Sequence, residues 1–146
     1  MAEEIEHKYL VVSDDYKQLA QSIHEIRQGY LSRNPDRVVR VRLFDDKGYI
    51  TIKSRNHGAV RLEFEYEIPK DDAIELLGLC EKPIIHKIRY AVEYEGFVWE
   101  IDRFISPCDY TVAEIELPDD KTEYSLPSFI GENVTGRPEY YNSNIS

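Results

Sequence analysis

The sequence predicts a mainly β protein of the α+β class, whose antiparallel sheet closes into a barrel with a charged interior. Its strand-like stretches alternate apolar residues with full charges, and side chains two residues apart in a strand share a face. Each strand therefore has one charged side and one apolar side. The apolar sides, such as that of Val39, Val41 and Leu43, need cover, which helices outside the sheet can supply. The charged sides are then left to line the interior.

Charged rows recur in the predicted strands along the chain. The first is Glu4, Glu6 and Lys8, within the stretch Glu-Ile-Glu-His-Lys. The later rows are Arg40/Arg42, Lys53/Arg55, Arg61/Glu63/Glu65/Glu67, Lys87/Arg89, Glu100/Asp102 and Glu114/Glu116. Carboxylates and cations standing together in this way indicate a surface that holds a polyanion together with metal ions.

A sheet with one solvated face is the simpler interpretation of these rows. Solvated faces usually mix in Thr, Ser, Gln and Asn, whereas these rows are almost wholly Glu, Asp, Arg and Lys. The signs are also sorted by strand, with basic pairs at Arg40/Arg42 and acidic pairs at Glu114/Glu116. Cross-strand pairing alone would be served by alternating signs. The pattern therefore favours a binding surface.

Local signals predict the elements of the first half. A strand over residues 3–12 precedes a helix that Ser13 can cap, with Asp14 and Asp15 in its first turn. Helical spacing then continues through Tyr16, Leu19, Ala20, Ile23 and Ile26 or Arg27. Further strands are predicted over residues 28–32, 38–43, 49–55 and 61–68, separated by turns rich in Asn, Asp, Pro and Gly.

The second half repeats this pattern after Pro69. A helix is predicted over residues 71–79, followed by a hairpin of strands 84–94 and 97–104 across Glu95-Gly96. Residues 112–117 form the last long strand, and residues 127–131 a short helical turn. Since no repeat, linker or low-complexity tract interrupts the chain, we expect one domain over residues 1–146.

The composition limits the function classes. The chain has 146 residues, 42% hydrophobic and 32% charged, which is typical of a globular protein. Its formal net charge of −10 argues against general nucleic-acid binding, which needs an excess of Lys and Arg. Eight of the 18 Lys and Arg residues nevertheless fall on the charged rows. A small anion therefore remains a suitable ligand.

The sequence also indicates the compartment. No stretch approaches the roughly 20 apolar residues of a membrane span. The acidic N-terminus lacks the basic and apolar regions of a signal peptide. With only Cys80 and Cys108 as cysteines, we expect a cytoplasmic protein with reduced thiols and no membrane partner.

Glu4-Ile5-Glu6-His7-Lys8 resembles the ExExK signature of the CYTH superfamily, the triphosphate tunnel metalloenzymes. The resemblance extends to Asn142 through an ordered set of motifs: Arg40-Val-Arg42, Lys53, Arg61 to Glu67, Lys87 with Arg89, Trp99-Glu100-Ile-Asp102, Glu114-Ile-Glu116, Val134 to Pro138, and Tyr140-Tyr141-Asn142. It implies an eight-stranded antiparallel tunnel that hydrolyses triphosphates, or in some relatives cyclises ATP, with a divalent metal ion.

The chemistry of a triphosphate assigns roles to the basic rows. Arg40 and Arg42 offer forked donors for phosphate oxygens, while Lys8, Lys53 and Lys87 act as point charges. Arg89 completes the predicted substrate-binding set.

Carboxylates can lie beside a triphosphate once Mg²⁺ or Mn²⁺ stands between them, because these cations prefer oxygen ligands. The predicted metal ligands are Glu4, Glu6 and Glu116, followed by Glu114 and Asp102. Glu63 or Glu65 is a candidate for orienting the attacking water, and the sequence does not choose between them. Lys8 is the third catalytic candidate.

Three functions fit these residues. The first is a metal-dependent triphosphatase acting on inorganic tripolyphosphate, as a monomer or homodimer. The second is an adenylyl cyclase or thiamine triphosphatase on the same scaffold, although no added segment supplies room for a base or a thiazolium ring. The third is a non-catalytic binder of polyphosphate or nucleotide, which loss of an acidic row would have favoured.

Overall fold

The structure is a computed structural model that describes residues 5–55, 62–119 and 121–140. These residues form one antiparallel sheet and little else. Its strands are β1 (Ile5–Val11), β2 (Ser22–Ser32), β3 (Arg37–Phe44), β4 (Lys47–Ser54), β5 (Glu63–Ile68), β6 (Glu81–Tyr94), β7 (Phe97–Ser106), β8 (Thr111–Leu117) and β9 (Ile130–Asn133). The helices are α1 (Tyr16–Leu19) and α2 (Lys70–Leu79), and a 3-10 turn spans Pro138–Tyr140. The predicted class, mainly β with antiparallel strands, is confirmed.

The strand order is β5-β4-β3-β2-β6-β7-β8-β1-β9. Within the described residues, β5 and β9 stand at the two ends of this order, and no hydrogen-bonded ladder joins them. The expected closed, eight-stranded barrel is therefore an open, nine-stranded sheet in this part of the chain. The physical reason lies at β1, which pairs with β8 on one side and with β9 on the other. β9 pairs with the Tyr9 to Val11 part of that second edge, and the described part of β5 has no pairing with β1.

The first helix is much shorter than its apolar spacing predicts. It ends at Leu19, and the chain then enters the long strand β2 at Ser22. The prediction of a helix as far as Ile26 or Arg27 is wrong. In β2, Ile23 pairs with Tyr90, whereas Ile26 lies on the opposite face across from Lys87. A strand with apolar residues on both faces reproduces the three-residue spacing of a helix.

The main core lies on the apolar face, as the sequence predicts. Trp99, Ile101, Ala113 and Ile115 form its centre in β7 and β8, and Tyr16 of α1 covers them together with Phe129. The rings of Tyr16 and Phe129 lie 5.9 Å apart, edge to face. Short covering segments therefore replace the long helix that the sequence predicts here.

Helix α2 covers the other end of the apolar face. Ala73, Val41 and Cys80 are buried together between this helix and strands β2 to β4. Gly48 lies directly under the helix, where an added Cβ would come within 2.6 Å of the Ala73 Cβ. Helices thus lie against the apolar side of the sheet and leave the charged side open to other groups.

Residues 127–131 contain a turn closed by the Ile130 amide and the Pro127 carbonyl, but Ile130 already begins β9. The predicted helical turn is therefore partly a strand.

No helix in the described residues is both long enough and apolar enough to cross a membrane.

Candidate active site

The strand register places every described residue of the predicted site on one face of the sheet. Residues directly opposite one another across antiparallel strands share a face. The connecting pairs include Glu6↔Glu116, Lys8↔Glu114, Glu100↔Glu114, Arg89↔Asp102, Arg40↔Thr51, Thr51↔Glu65 and Lys53↔Glu63. Glu4 and Arg61 lie outside the described residues. We call this surface the charged face.

At the centre of the charged face, Asp102 binds two cations. Its Oδ2 accepts a hydrogen bond from Lys87 Nζ at 2.8 Å, and its Oδ1 accepts one from Arg89 Nε at 2.8 Å. Arg89 Nη2 also donates to Oδ2 at 3.0 Å, and Nη1 forms an ion pair with Glu100 at 2.8 Å. Lys87 and Asp102 are both buried. Both oxygens of Asp102 are thus occupied by side chains of the protein.

The electrostatics of this cluster hold Asp102 ionised. Burial alone would raise its pKa, but Lys87 and Arg89 outweigh burial and hold the pKa well below its usual range. Burial lowers the pKa of Lys87 to about 8, against the opposing charge of Asp102. Arg89 keeps its charge, since the hydrogen bonds and charge of Asp102 outweigh the effect of burial and raise its pKa. The geometry favours a positioning role for Asp102 over metal binding.

Arg40 and Arg42 project from β3 onto the same face but have different partners. Arg40 Nη2 lies 3.6 Å from Glu65 Oε1 and donates to Thr51 Oγ1 at 3.3 Å. Arg42 Nε donates to the amide oxygen of Gln28 at 2.8 Å. Among the described residues, no carboxylate lies within ion-pair distance of Arg42. Arg42 is therefore a charged group that only a neutral side chain holds.

The surroundings of Arg42 make this charge costly. Burial and the positive charges of Arg40 and Arg89 together lower the pKa of Arg42 to about 10, against the opposing charge of Asp102. A partly desolvated cation without a carboxylate in direct contact is unfavourable. An anion bound at this point would remove the cost, so the site is suited to a polyanionic ligand.

The carboxylates form a second group on β1 and β8. Glu6 lies across from Glu116, and next to this pair Lys8 Nζ forms an ion pair with Glu114 Oε1 at 3.0 Å. Burial raises the pKa of Glu6 to about 7, and the neighbouring Glu114 raises it as well. Several carboxylates thus lie close together here, on the same face as Arg42.

The C-terminal segment fixes Lys8 from the other side. Lys8 Nζ donates to the Tyr140 carbonyl at 2.9 Å, and the Lys8 amide donates to Thr135 Oγ1 at 2.9 Å. The ring of Tyr140 packs against Tyr110 in an apolar cluster with Phe104 and Val112. This cluster lies on the charged face, because Phe104 is opposite Lys87 and Val112 is opposite Asp102. It borders the charged groups with apolar side chains at one end.

Glu63 and Glu65 have different surroundings at the outer strand β5. Glu63 lies 3.8 Å from Lys53 Nζ and is more than half exposed. Glu65 accepts a hydrogen bond from Thr51 Oγ1 at 2.8 Å and lines a cavity of about 270 Å³ with Arg42, Phe44 and Tyr49. Glu65 thus shares this cavity with Arg42.

Two polar residues of the charged face are absent from the sequence-based prediction. Gln28 and Thr51 are fully buried and contact Arg42 and Arg40, respectively. Thr51 stands two residues before Lys53, so its position in the charged row was a signal that could have identified it. Gln28 had no such signal, because the short strand predicted over residues 28–32 carries no charged row.

The site thus belongs to an antiparallel sheet that has its cations and carboxylates sorted along one face. The sequence matches the CYTH domain over residues 2–143, so the chain belongs to the CYTH family. An inorganic triphosphatase of Acetivibrio thermocellus is 50% identical over 147 residues, which cover 99% of this chain and 94% of the relative.

Solved structures agree with this family. The inorganic triphosphatase NE1496 superposes with a TM-score of 0.74 and 27% identity, covering 99% of this chain and 94% of that protein. HpAC1 from Hippeastrum, a candidate adenylyl cyclase with a dominant triphosphatase activity, has a TM-score of 0.56 over 80% of both chains. At 16% identity, this second similarity shows the fold alone.

Proposed function

We propose that this chain is a divalent-metal-dependent inorganic triphosphatase, which adds water to the terminal phosphoryl group of tripolyphosphate. One observation carries the proposal: Arg42 is a half-buried guanidinium without a carboxylate in ion-pair contact in the described residues, and Arg40 and Arg89 stand near enough to lower its pKa. A ligand with several negative charges on a short chain matches this group of cations. The inorganic triphosphatase relative supports tripolyphosphate as that ligand.

Substrate binding falls to Arg40, Arg42, Lys53, Lys87, Arg89 and Lys8 in this proposal. Arg42 contributes most, because Gln28 accepts from its Nε alone and no carboxylate of the described residues forms an ion pair with it. Lys87 and Arg89 share Asp102 as counter-ion, so their role is to fix the ligand's position more than to attract it from solvent. Lys8 is held by Glu114 and Tyr140 at the boundary between cations and carboxylates.

The carboxylates suit a hard divalent cation. Glu6, Glu114 and Glu116 are oxygen donors on two adjacent strands, and the raised pKa of Glu6 indicates negative charge in need of a counter-ion. In the described parts of the chain, no three carboxylate, histidine or cysteine side chains converge closely enough to hold a metal ion alone. The proposed ligands of the ion are therefore these carboxylates together with substrate oxygens, which commonly bind Mg²⁺. Glu4 is a further proposed ligand.

When bound, Mg²⁺ or Mn²⁺ would neutralise charge on the phosphoryl oxygens. The protein's own side chains then position the reactants, which is most of what phosphoryl transfer requires. Glu65 is the better placed of the two acids to accept a hydrogen bond from the attacking water, because it lines the cavity beside Arg42. Its hydrogen bond from Thr51 and its proximity to Arg40 fix the position of its carboxylate for that role.

Product analysis tests the proposal directly. Tripolyphosphate should yield pyrophosphate and orthophosphate in equal amounts, and only with added Mg²⁺ or Mn²⁺. Glu6→Gln should abolish this release, whereas Glu75→Gln, which changes an exposed acid of α2, should not. Binding of tripolyphosphate without any product would favour a non-catalytic binder. Cyclic AMP and pyrophosphate from ATP would instead indicate a cyclase, and faster hydrolysis of thiamine triphosphate a different substrate.

A further inference from the structure

Gln28 is a fully buried polar residue whose own hydrogen bonds do not account for its burial. It lies on the charged face of β2, opposite Arg42 on one side and Ile85 on the other. Its amide oxygen accepts from Arg42 Nε at 2.8 Å, while its amide nitrogen is buried without a partner among the described residues. A buried, half-satisfied amide is unfavourable compared with an apolar side chain of similar volume.

The advantage of Gln28 lies in what it does to Arg42. The other cations of the charged face that the structure describes stand within 4 Å of a carboxylate: Arg40 with Glu65, Lys53 with Glu63, Lys8 with Glu114, and Lys87 and Arg89 with Asp102. At Arg42 the corresponding acceptor is a neutral amide. Such an acceptor fixes the guanidinium through Nε and leaves its charge uncompensated.

We propose that Gln28 is a positioning residue for the substrate: it orients the Arg42 guanidinium and preserves its full charge for the polyphosphate. The Nε–H of Arg42 is occupied by Gln28, so the four Nη donors remain for phosphate oxygens in one fixed plane. The selection of a highly charged, compact ligand then rests on this pair of side chains. This inference rests on the proposed triphosphatase function.

Two substitutions separate orientation from charge. Gln28→Met keeps the volume but removes the acceptor, so the guanidinium is free to rotate. We expect the KM for tripolyphosphate to rise about tenfold, the effect of losing one hydrogen bond to a charged group, with a smaller change in kcat.

Gln28→Glu keeps an acceptor for Nε but neutralises Arg42. Here kcat should be retained and KM should rise, and a KM equal to that of the wild type would overturn the charge argument.

A double-variant cycle excludes a purely structural role. In an Arg42→Ala background, Gln28→Met should change KM by less than about twofold, because the side chain it acts through is already gone. If Gln28→Met raises KM by the same factor in both backgrounds, or in neither, the inference is overturned. Arg42→Met, which preserves more volume, provides a second background should Arg42→Ala not fold.

The matched control is Ile26→Leu, a volume-conserving change at a fully buried position on the same strand and face. It should leave KM near the wild-type value, and circular-dichroism melting curves should show all variants folded at the assay temperature. If the wild type turns over tripolyphosphate but the effects of the Gln28 and Arg42 substitutions on KM are additive, only the proposed role of Gln28 is overturned. A wild type that releases no orthophosphate overturns the proposed function and this inference together.

Discussion

Lys87 Nζ lies 2.8 Å from Asp102 Oδ2, and both side chains are buried on the charged face of the sheet. Asp102 also accepts two hydrogen bonds from Arg89, so one carboxylate balances two cations. A buried charge is tolerated only with such partners. Removing the shared carboxylate therefore affects stability as well as the site.

Asp102→Asn should lower the free energy of unfolding by roughly 3–5 kcal/mol at pH 7, because Lys87 and Arg89 would lose their buried counter-ion. Urea denaturation measures this difference. The matched control is Glu100→Gln, which removes a carboxylate 2.8 Å from the same Arg89 but at a partly exposed position. Its cost should be about 1 kcal/mol or less. Equal losses for the two variants would contradict the central role of Asp102.

Arg42→Lys should not restore tripolyphosphate binding. Lysine supplies the positive charge but lacks the planar fork and the Nε–H that Gln28 accepts. Affinity should therefore remain close to that of Arg42→Ala and at least tenfold below that of the unsubstituted chain, the minimum expected for loss of a bidentate contact. Calorimetric titration in a Glu6→Gln background measures binding without turnover. A lysine variant with full affinity would assign Arg42 the role of a simple point charge.

Glu6→Gln should alter the pH dependence of stability in metal-free protein. The folded-state pKa of Glu6 is about 7, above its ordinary value of 4.5, so the folded state binds the proton more tightly than the unfolded state. This contribution to stability is complete below pH 4.5 and is lost as the pH rises through 7. The variant should therefore melt at a higher temperature than the wild type at pH 8 in EDTA, and the gain should shrink at pH 5.

Glu75→Gln is the control for that comparison, since it changes an exposed acid on α2 away from the charged face. Its melting temperature relative to the wild type should be nearly the same at pH 5 and pH 8. A Glu6→Gln variant whose gain does not depend on pH would show that Glu6 is not desolvated in the folded protein.

The sequence alone could predict which charged residues share the charged face, although not that Gln28 and Thr51 lie there as well. The two-residue period of a strand follows from the covalent chain, so Glu6 with Lys8, or Arg40 with Arg42, must share a side wherever a strand forms. The register of the finished sheet then brings those rows together. The ends of some strands could be predicted as well, because Pro69 ends one strand and the Glu95-Gly96 turn joins two others.

The pairing within that face could not be predicted in the same way. Asp102 looks like one more acid beside Glu100, yet register places it against Arg89 and within reach of Lys87. Which acid meets which cation depends on strand order, and no local pattern encodes strand order. The edge strand β9 was not predicted, because its four residues, Ile130–Asn133, are too few to show the two-residue period of a strand.

Gly48→Ala should destabilise the fold by displacing α2. The new Cβ would lie 2.6 Å from the Ala73 Cβ and 3.1 Å from the Ile68 carbonyl oxygen, and neither neighbour is the flexible end of a side chain. Overpacking of this kind costs roughly 1–3 kcal/mol. Gly78→Ala is the matched control: no atom lies within 4 Å of its added Cβ, and alanine favours a helix by up to about 1 kcal/mol. In urea denaturation, the free energy of unfolding should therefore fall for Gly48→Ala and rise for Gly78→Ala. If both variants lose stability, the packing of α2 on Gly48 does not explain the loss.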